Sequence, residues 1–114
     1  MAAAYAETNG VADVYYGAQS HDMYGYWDTT AEFLTRLNEV YGLNRETAVK
    51  IKAPLVTHSK TDILRLGLQL GIDYAQTWSC YEGQAVACGR CPTCAERLKA
   101  FETVGIPDPL PYAS

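Results

Sequence analysis

The stretch WSCYEGQAVACGRCPTC, residues 78–94, holds all four cysteines of a 114-residue chain. These are Cys80, Cys88, Cys91 and Cys94. Thiolates with two residues between them, as in the CxxCxxC run, can bind one tetrahedral ion from a tight turn. Gly89 and Arg90 supply that turn between Cys88 and Cys91. Cys80 would return from the preceding loop as the fourth ligand. Because four sulfurs leave no open coordination position, the spacing predicts a structural zinc ion in a knot over residues 80–94.

Three other interpretations of the cysteines stay open at this point. Two disulfides are possible on the count alone, but nothing in the sequence marks the chain as secreted. A redox pair needs a single CxxC and leaves two of the four clustered thiols unexplained. An iron–sulfur cluster also uses CxxCxxC spacing. The pattern therefore indicates a metal site, with zinc as the preferred ion.

The composition is that of an ordinary globular protein and indicates a cytoplasmic location. Hydrophobic residues make up 48% of the chain and charged residues 19%. The apolar runs are far shorter than the roughly 20 residues that span a bilayer, so no membrane partner is expected. The net charge of -4 argues against a nucleic-acid partner, while Arg90, Arg97 and Lys99 leave room for a small basic patch.

Upstream of the cysteines, signals for strands and helices alternate. AAAYAET favours a helix, and VADVYYGA, residues 11–18, has the Val and Tyr content of a buried strand. A second strand is predicted at residues 49–55, VKIKAPL. Capping-box patterns predict helices opening at Thr29 and at Ser59, and Pro92 suits the first position of a third. This order predicts an α/β fold with a parallel strand pair.

The two helices with capping boxes carry apolar residues at the helical period. The side chains expected to be buried are Phe33, Leu34, Leu37, Val40 and Tyr41 on one helix and Ile63, Leu64, Leu66, Leu68 and Leu70 on the other. Two strands alone make a poor parallel sheet, because such sheets need several strands and cover on both faces. The sequence therefore predicts that residues 1–114 form a single incomplete α/β domain, the C-terminal part of a larger sheet.

The cysteine stretch, taken with its neighbours, resembles a known family. TWSCYEG followed by CGRCPTCAERLKAFETVGIPDP is similar to the C-terminal signature of 7-cyano-7-deazaguanine (preQ0) synthases. Upstream, HDMYGYWDTTAEF resembles the substrate loop of that family, and KIKAPLVTHSKTDILRLGLQLGIDY resembles its next strand and helix. The blocks occur in the order of the family and cover nearly all of the chain.

The resemblance implies a fold, an activity and cofactors. The fold is that of the PP-loop ATPase superfamily, a doubly wound parallel sheet of the adenine nucleotide alpha hydrolase type. The activity is a ligase of queuosine biosynthesis, which uses ATP and ammonia to convert 7-carboxy-7-deazaguanine to the nitrile 7-cyano-7-deazaguanine. The resemblance also implies a structural zinc ion on the four cysteines and a homodimer or other homo-oligomer.

Residues of the loop QSHDMYGYWD are the expected contacts to the deazapurine. By position in the resembling loop these are Asp22, Tyr26 and Asp28. A carboxylate accepts hydrogen bonds from the N–H groups of a deazapurine, and an aromatic ring stacks on its flat face. The alternative for Asp28 is that it caps the helix beginning beside it. His21 has two interpretations, a catalytic acid or base and a structural loop residue.

This loop departs from the family pattern. Thr29 and Thr30 replace the usual Cys-Arg pair, and Trp27 replaces a proline. A cation that would meet a carboxylate or phosphate is therefore missing from the loop, and Lys60 is the residue expected to stand in for it in part.

The phosphate-binding Ser-Gly-Gly-x-Asp-Ser run of the superfamily does not occur in these 114 residues. We therefore expect that this chain is the C-terminal part of a synthase and that it is inactive without a separate N-terminal PP-loop half. We assign no catalytic residue. The alternative is a non-catalytic, zinc-stabilised module that binds a deazapurine or a protein partner.

Overall fold

The computed structural model describes residues 1–20, 25–83 and 85–113 and shows an α/β chain. Its elements are α1 (Ala2–Thr8), β1 (Asp13–Tyr15), α2 (Ala31–Tyr41), β2 (Lys50–Lys52), α3 (Lys60–Gln69) and α4 (Pro92–Val104), with one-turn 3₁₀ helices at Trp27–Thr29 and Tyr74–Gln76. The described residues form two compact units, one ending at Thr57 and the other beginning at His58. No helix in the described ranges combines the length and apolar character needed to cross a membrane.

The strands β1 and β2 pair in parallel, with Val14 opposite Ile51. Both are shorter than the predicted strands at residues 11–18 and 49–55, because pairing extends over only three residues of each strand. Pro54, which has no N–H to donate, lies in the turn after β2. The sheet formed by the described residues has two strands, so the parallel pair is confirmed and the doubly wound sheet stays a prediction.

The edge of β2 that faces away from β1 is closed by a side chain. Lys50 and Lys52 bond to β1 through their backbones, so the backbone groups of Ile51 point to the other side. There the carboxamide of Asn38, on α2, donates to the Ile51 carbonyl and accepts from its N–H, both at 2.8 Å. Asn38 thus takes the place of a neighbouring strand at this point.

The predicted helix starts hold at α3 and α4 and are corrected at α2. Ser59 and Asp62 form the reciprocal capping box predicted for α3, and Pro92 is the first residue of α4. At α2 the cap is Thr30, whose hydroxyl accepts from the Phe33 N–H at 3.1 Å. The prediction of Thr29 as the cap was wrong, because Thr29 closes the preceding 3₁₀ turn and donates to the Tyr26 carbonyl at 3.0 Å.

The first unit has a small core between α1, α2 and the sheet. Its buried residues are Ala3, Ala6, Val49 and Ile51, against which Val14, Leu34, Leu37 and Tyr41 pack. The prediction of Val40 as buried was wrong, since its side chain is 61% exposed. Phe33 is half-buried and packs edge-on against Trp27, with the ring centroids 5.3 Å apart.

The second unit has its core between α3 and α4. Leu64, Ala100 and Phe101 are buried there, with Tyr74 and Val104 packed against them. Tyr74 lies so close to Gly67 that a side chain on that glycine would collide with its hydroxyl. The predicted burial of three further leucines was wrong: Leu66, Leu68 and Leu70 are 38%, 39% and 71% exposed. In this unit α4 covers only the strip of α3 that contains Leu64 and Gly67.

Candidate functional site

The four cysteines come together as the sequence predicts. Their Sγ atoms all lie within 4.8 Å of one another, and Cys80, Cys91 and Cys94 are buried. The Cys80–Cys91 and Cys88–Cys94 sulfur pairs are each 4.0 Å apart. A disulfide needs about 2.05 Å, so these are free thiols. A tetrahedral zinc ion with Zn–S bonds of about 2.3 Å places its sulfurs about 3.8 Å apart, a separation that the two 4.0 Å pairs approach.

Backbone geometry gathers the sulfurs around one point. Gly89, at φ +72°, forms the turn between Cys88 and Cys91, a conformation that residues with a side chain rarely adopt. Cys91 is the residue that immediately precedes α4, and Cys94 lies in its first turn. The last two sulfurs are therefore positioned by the start of a helix.

Backbone N–H groups point at two of the sulfurs. Gly83 donates to Cys80 Sγ at 2.9 Å, and Cys91 donates to Cys88 Sγ at 3.2 Å. The N–H of Cys88 also donates to Cys80 Sγ and lowers the pKa of that thiol. Such donors favour the thiolate form, which is the form that binds a metal. Burial instead raises the pKa of Cys94 to about 12, so an ion must displace its proton.

The segment after α4 packs against the cysteine loop, a contact that the sequence did not predict. We call residues 106–113 the C-terminal strap. Its Tyr112 forms a parallel bridge with Ala87, which is 1% exposed, and Tyr112 also packs on the cysteine cluster. The Tyr112 hydroxyl donates to Asp108 Oδ2 at 2.5 Å. The strap is therefore tied both to the loop and to itself.

Arg97 of α4 is buried rather than part of a basic surface patch. Its Nε and Nη2 donate to the two carboxylate oxygens of Asp108 at 2.6 and 2.9 Å, and both side chains are at most 5% exposed. Its Nη1 also donates to the Thr77 hydroxyl at 2.8 Å. Of the three cations expected to form a patch, only Arg90 and Lys99 are exposed. No periodic pattern links residues 97 and 108, although an aspartate flanked by prolines marks a fixed turn.

Lys60, expected to supply a charge to the substrate loop, is engaged within the second unit. Its Nζ lies 3.9 Å from Oε2 of Glu96, a carboxylate that is 9% exposed. Burial lowers the pKa of Lys60. The cation is thus held beside α4 by a buried carboxylate of opposite charge.

The loop after β1 is described at residues 16–20 and again from Gly25 onward, so His21 and Asp22 lie outside the described residues. Tyr26 is 40% exposed and lines a cavity of about 260 Å³. The described residues around this cavity are Gln19, Ser20, Gly25, Tyr26, Thr29, Thr30, Ala31 and Val56. The lining includes residues that follow β1 (Gln19 and Ser20) and β2 (Val56) in the chain. The C-terminal ends of parallel strands form the edge at which such sheets bind ligands.

Asp28 is exposed and lies in the 3₁₀ turn Trp27–Thr29. Its backbone carbonyl accepts from the Tyr16 hydroxyl at 3.1 Å. The alternative in which Asp28 caps α2 was wrong, because Thr30 is the cap. The carboxylate of Asp28 is therefore not used to start this helix.

Comparison with known proteins gives one consistent result. A family model described as "Queuosine biosynthesis protein QueC" matches residues 1–105. The 7-cyano-7-deazaguanine synthase of Alteromonas mediterranea is 46% identical over 98% of this chain and 51% of its own length. That of Halobacterium salinarum is 45% identical over 99% of this chain and 50% of its own length. The chain spans about half the length of the curated relatives it matches, namely their C-terminal part. It belongs to the family of the queuosine biosynthesis protein QueC.

Proposed function

We propose that this chain is the C-terminal part of an ATP-dependent carbon–nitrogen ligase, which converts 7-carboxy-7-deazaguanine and ammonia to 7-cyano-7-deazaguanine. The observation that carries the proposal is the match of 98% of the chain to a relative named for that product, at 46% identity. The clustered cysteines and the cavity at the end of β1 support it from the structure.

The proposed ion is zinc, held by Cys80, Cys88, Cys91 and Cys94. Four sulfurs that lie within 4.8 Å of one another, two pairs of them at 4.0 Å, suit a tetrahedral thiophilic ion. With four thiolates bound, zinc keeps no open position for a substrate and acts as a cross-link. The role of the ion is therefore structural, since it would join the loop after Trp78 to the start of α4.

The proposed deazapurine site lies in the loop after β1 and includes Asp22, Tyr26 and Asp28. Tyr26 supports this assignment, since its partly exposed ring lines a cavity at the C-terminal edge of the sheet. Asp28 supports it because its exposed carboxylate is not required as the cap of α2. In this site Tyr26 would stack on the flat ring of the substrate, and the carboxylates would accept from its N–H groups.

We propose that ATP is bound by a PP-loop segment outside these 114 residues. Support comes from the sheet: Asn38 closes the far edge of β2, whereas among the described residues no strand pairs with the far edge of β1. Further strands of a doubly wound sheet would therefore join at β1. A cytoplasmic location and homo-oligomers of the assembled enzyme are part of the same proposal.

Complementation tests this assignment. The chain is mixed with a purified N-terminal half of the Alteromonas mediterranea synthase, and nitrile formation from 7-carboxy-7-deazaguanine, ATP and ammonium is measured by mass spectrometry. We expect product from the mixture and none from either part alone.

Each contrary outcome overturns a different part of the proposal. Product from the chain alone would refute the need for a separate ATP-binding segment. If the mixture gives no product while the chain still binds the deazapurine in a calorimetric titration, the chain is a binding module. If the chain neither reacts nor binds, the substrate assignment is wrong.

A further inference from the structure

We propose that the C-terminal strap keeps the cysteine loop, residues 80–94, closed around a bound ion. The Tyr112–Asp108–Arg97 chain of hydrogen bonds thereby sets the rate at which the ion is released. This inference rests on the proposed metal binding and extends it. Tyr112, Asp108 and Arg97 act as positioning residues, because none of them is a ligand.

The first support is the pairing of the strap with the loop. The N–H of Ala113 donates to the Ala87 carbonyl at 2.8 Å, and the N–H of Ala87 donates to the Pro111 carbonyl at 3.3 Å. A side chain at Gly89 would lie 3.4 Å from the Tyr112 ring, so this ring touches the turn between two of the cysteines. The strap therefore covers both Ala87 and the turn that follows it.

The second support is the set of hydrogen bonds that Asp108 accepts from the strap and from α4. Asp108 accepts the Tyr112 hydroxyl and two guanidinium N–H groups of Arg97, and it also accepts the Leu110 N–H at 3.0 Å. Arg97 lies one helical turn after Cys94 on α4. One buried carboxylate thus connects the strap to the helix that carries the last sulfur. Because the net stability of a buried ion pair is small, its main effect is to fix geometry.

The third support is access to the sulfurs. Cys94 is 1% exposed, Cys91 3% and Cys80 7%, whereas Cys88 is partly exposed. A chelator therefore reaches three of the four sulfurs only after the loop opens. Opening the loop at Ala87 breaks its two backbone bonds to the strap. Local opening of this kind is expected to be more frequent than global unfolding, because it breaks fewer contacts. The strap is then the element that limits release.

The experiment measures zinc transfer from zinc-loaded protein to the colorimetric chelator 4-(2-pyridylazo)resorcinol. Tyr112→Phe removes only the hydroxyl that bonds Asp108. Two controls accompany it. Tyr81→Phe makes the same change in a side chain that is 80% exposed beside the cluster. Ala100→Gly weakens α4 at a buried site in the cluster that Ala100 forms with Leu64 and Phe101.

We expect Tyr112→Phe to release zinc about tenfold faster, as for the loss of a hydrogen bond to a charged group. Release from Tyr81→Phe should match the parent protein, and release from Ala100→Gly should stay within about twofold of it despite a lower thermal midpoint. If Tyr112→Phe matches Tyr81→Phe, the strap does not limit release. If Ala100→Gly accelerates release as much as Tyr112→Phe, release follows global unfolding and the proposal is wrong. A parent protein that takes up no zinc would instead refute the metal assignment.

Discussion

Gly83 is the residue whose substitution should test the proposed zinc site most sharply. Its N–H donates to Cys80 Sγ at 2.9 Å. A Cβ at this position would collide with the Val86 carbonyl oxygen and would lie 3.0 Å from both the Ala87 Cα and Cys80 Sγ. Two of these three neighbours are backbone atoms, which cannot rotate away. Gly83→Ala should therefore displace either the loop or the first sulfur.

The magnitude follows from two contributions. Overpacking of a closely packed site costs about 1 to 3 kcal/mol. A weakened N–H···S hydrogen bond adds about 1 kcal/mol. The sum of about 2 to 4 kcal/mol corresponds to a loss of zinc affinity of roughly 30- to 700-fold.

The assay is a competition titration of zinc between the protein and a chromophoric chelator, with circular dichroism to check folding. Gly89→Ala is the matched control in the same loop. Its φ of +72° gives strain, but its Cβ would meet nothing closer than 3.4 Å. We expect the zinc affinity of this control to fall by about tenfold at most, because its backbone strain is about 1 kcal/mol. Equal affinities for the two variants would refute the argument from close packing at Gly83.

Three further predictions concern separate parts of the chain. Asn38→Ala leaves the Ile51 N–H and carbonyl unpaired and should lower the free energy of unfolding by about 2 to 3 kcal/mol in urea titrations; no change would refute the edge closure. Burial alone would raise the pKa of Asp108, but hydrogen bonds from Arg97 and Tyr112 hold it below its usual range. The contribution of Asp108 to the free energy of unfolding should be complete above about pH 4 and should be lost as the pH falls through the pKa of Asp108 in the folded protein. Asp108→Asn should abolish this pH-dependent contribution in unfolding titrations at pH 2 to 6. Tyr26→Ala should weaken deazapurine binding in the complemented enzyme about tenfold, whereas Tyr26→Phe keeps it, as measured by calorimetry.

Features set by local spacing were predictable from the sequence. The CxxCxxC run, the Ser59 capping box and Pro92 at the start of α4 depend on neighbours a few residues apart. The structure confirms the capping box and the place of Pro92, and it brings the cysteine sulfurs together. At α2 the same reasoning chose the wrong one of two adjacent threonines as the cap. Thr29 and Thr30 have identical capping chemistry, and only the 3₁₀ turn that uses Thr29 decides between them.

Features set by distant contacts were not predictable. The periodicity of α3 indicates an apolar face, but α4 decides which part of that face is covered, and Leu70 is left 71% exposed. The pairing of Arg97 with Asp108 joins residues 11 positions apart across the end of a helix, where no sequence period applies. Likewise, nothing in the sequence around Asn38 distinguishes a surface residue of α2 from one that closes a strand edge.

The position of Cys91 immediately before α4 has a consequence for the order of folding. Starting a helix is its slow and unfavourable step, with a nucleation constant of about 10⁻³, because several residues must be fixed before the first hydrogen bond forms. An ion bound to Cys91 and Cys94 fixes that first turn in advance, and Pro92 already has the required φ. Metal capture would then nucleate the 13-residue helix that supplies Ala100, Phe101 and Arg97 to the second unit. The availability of the ion would thereby govern how fast this unit folds.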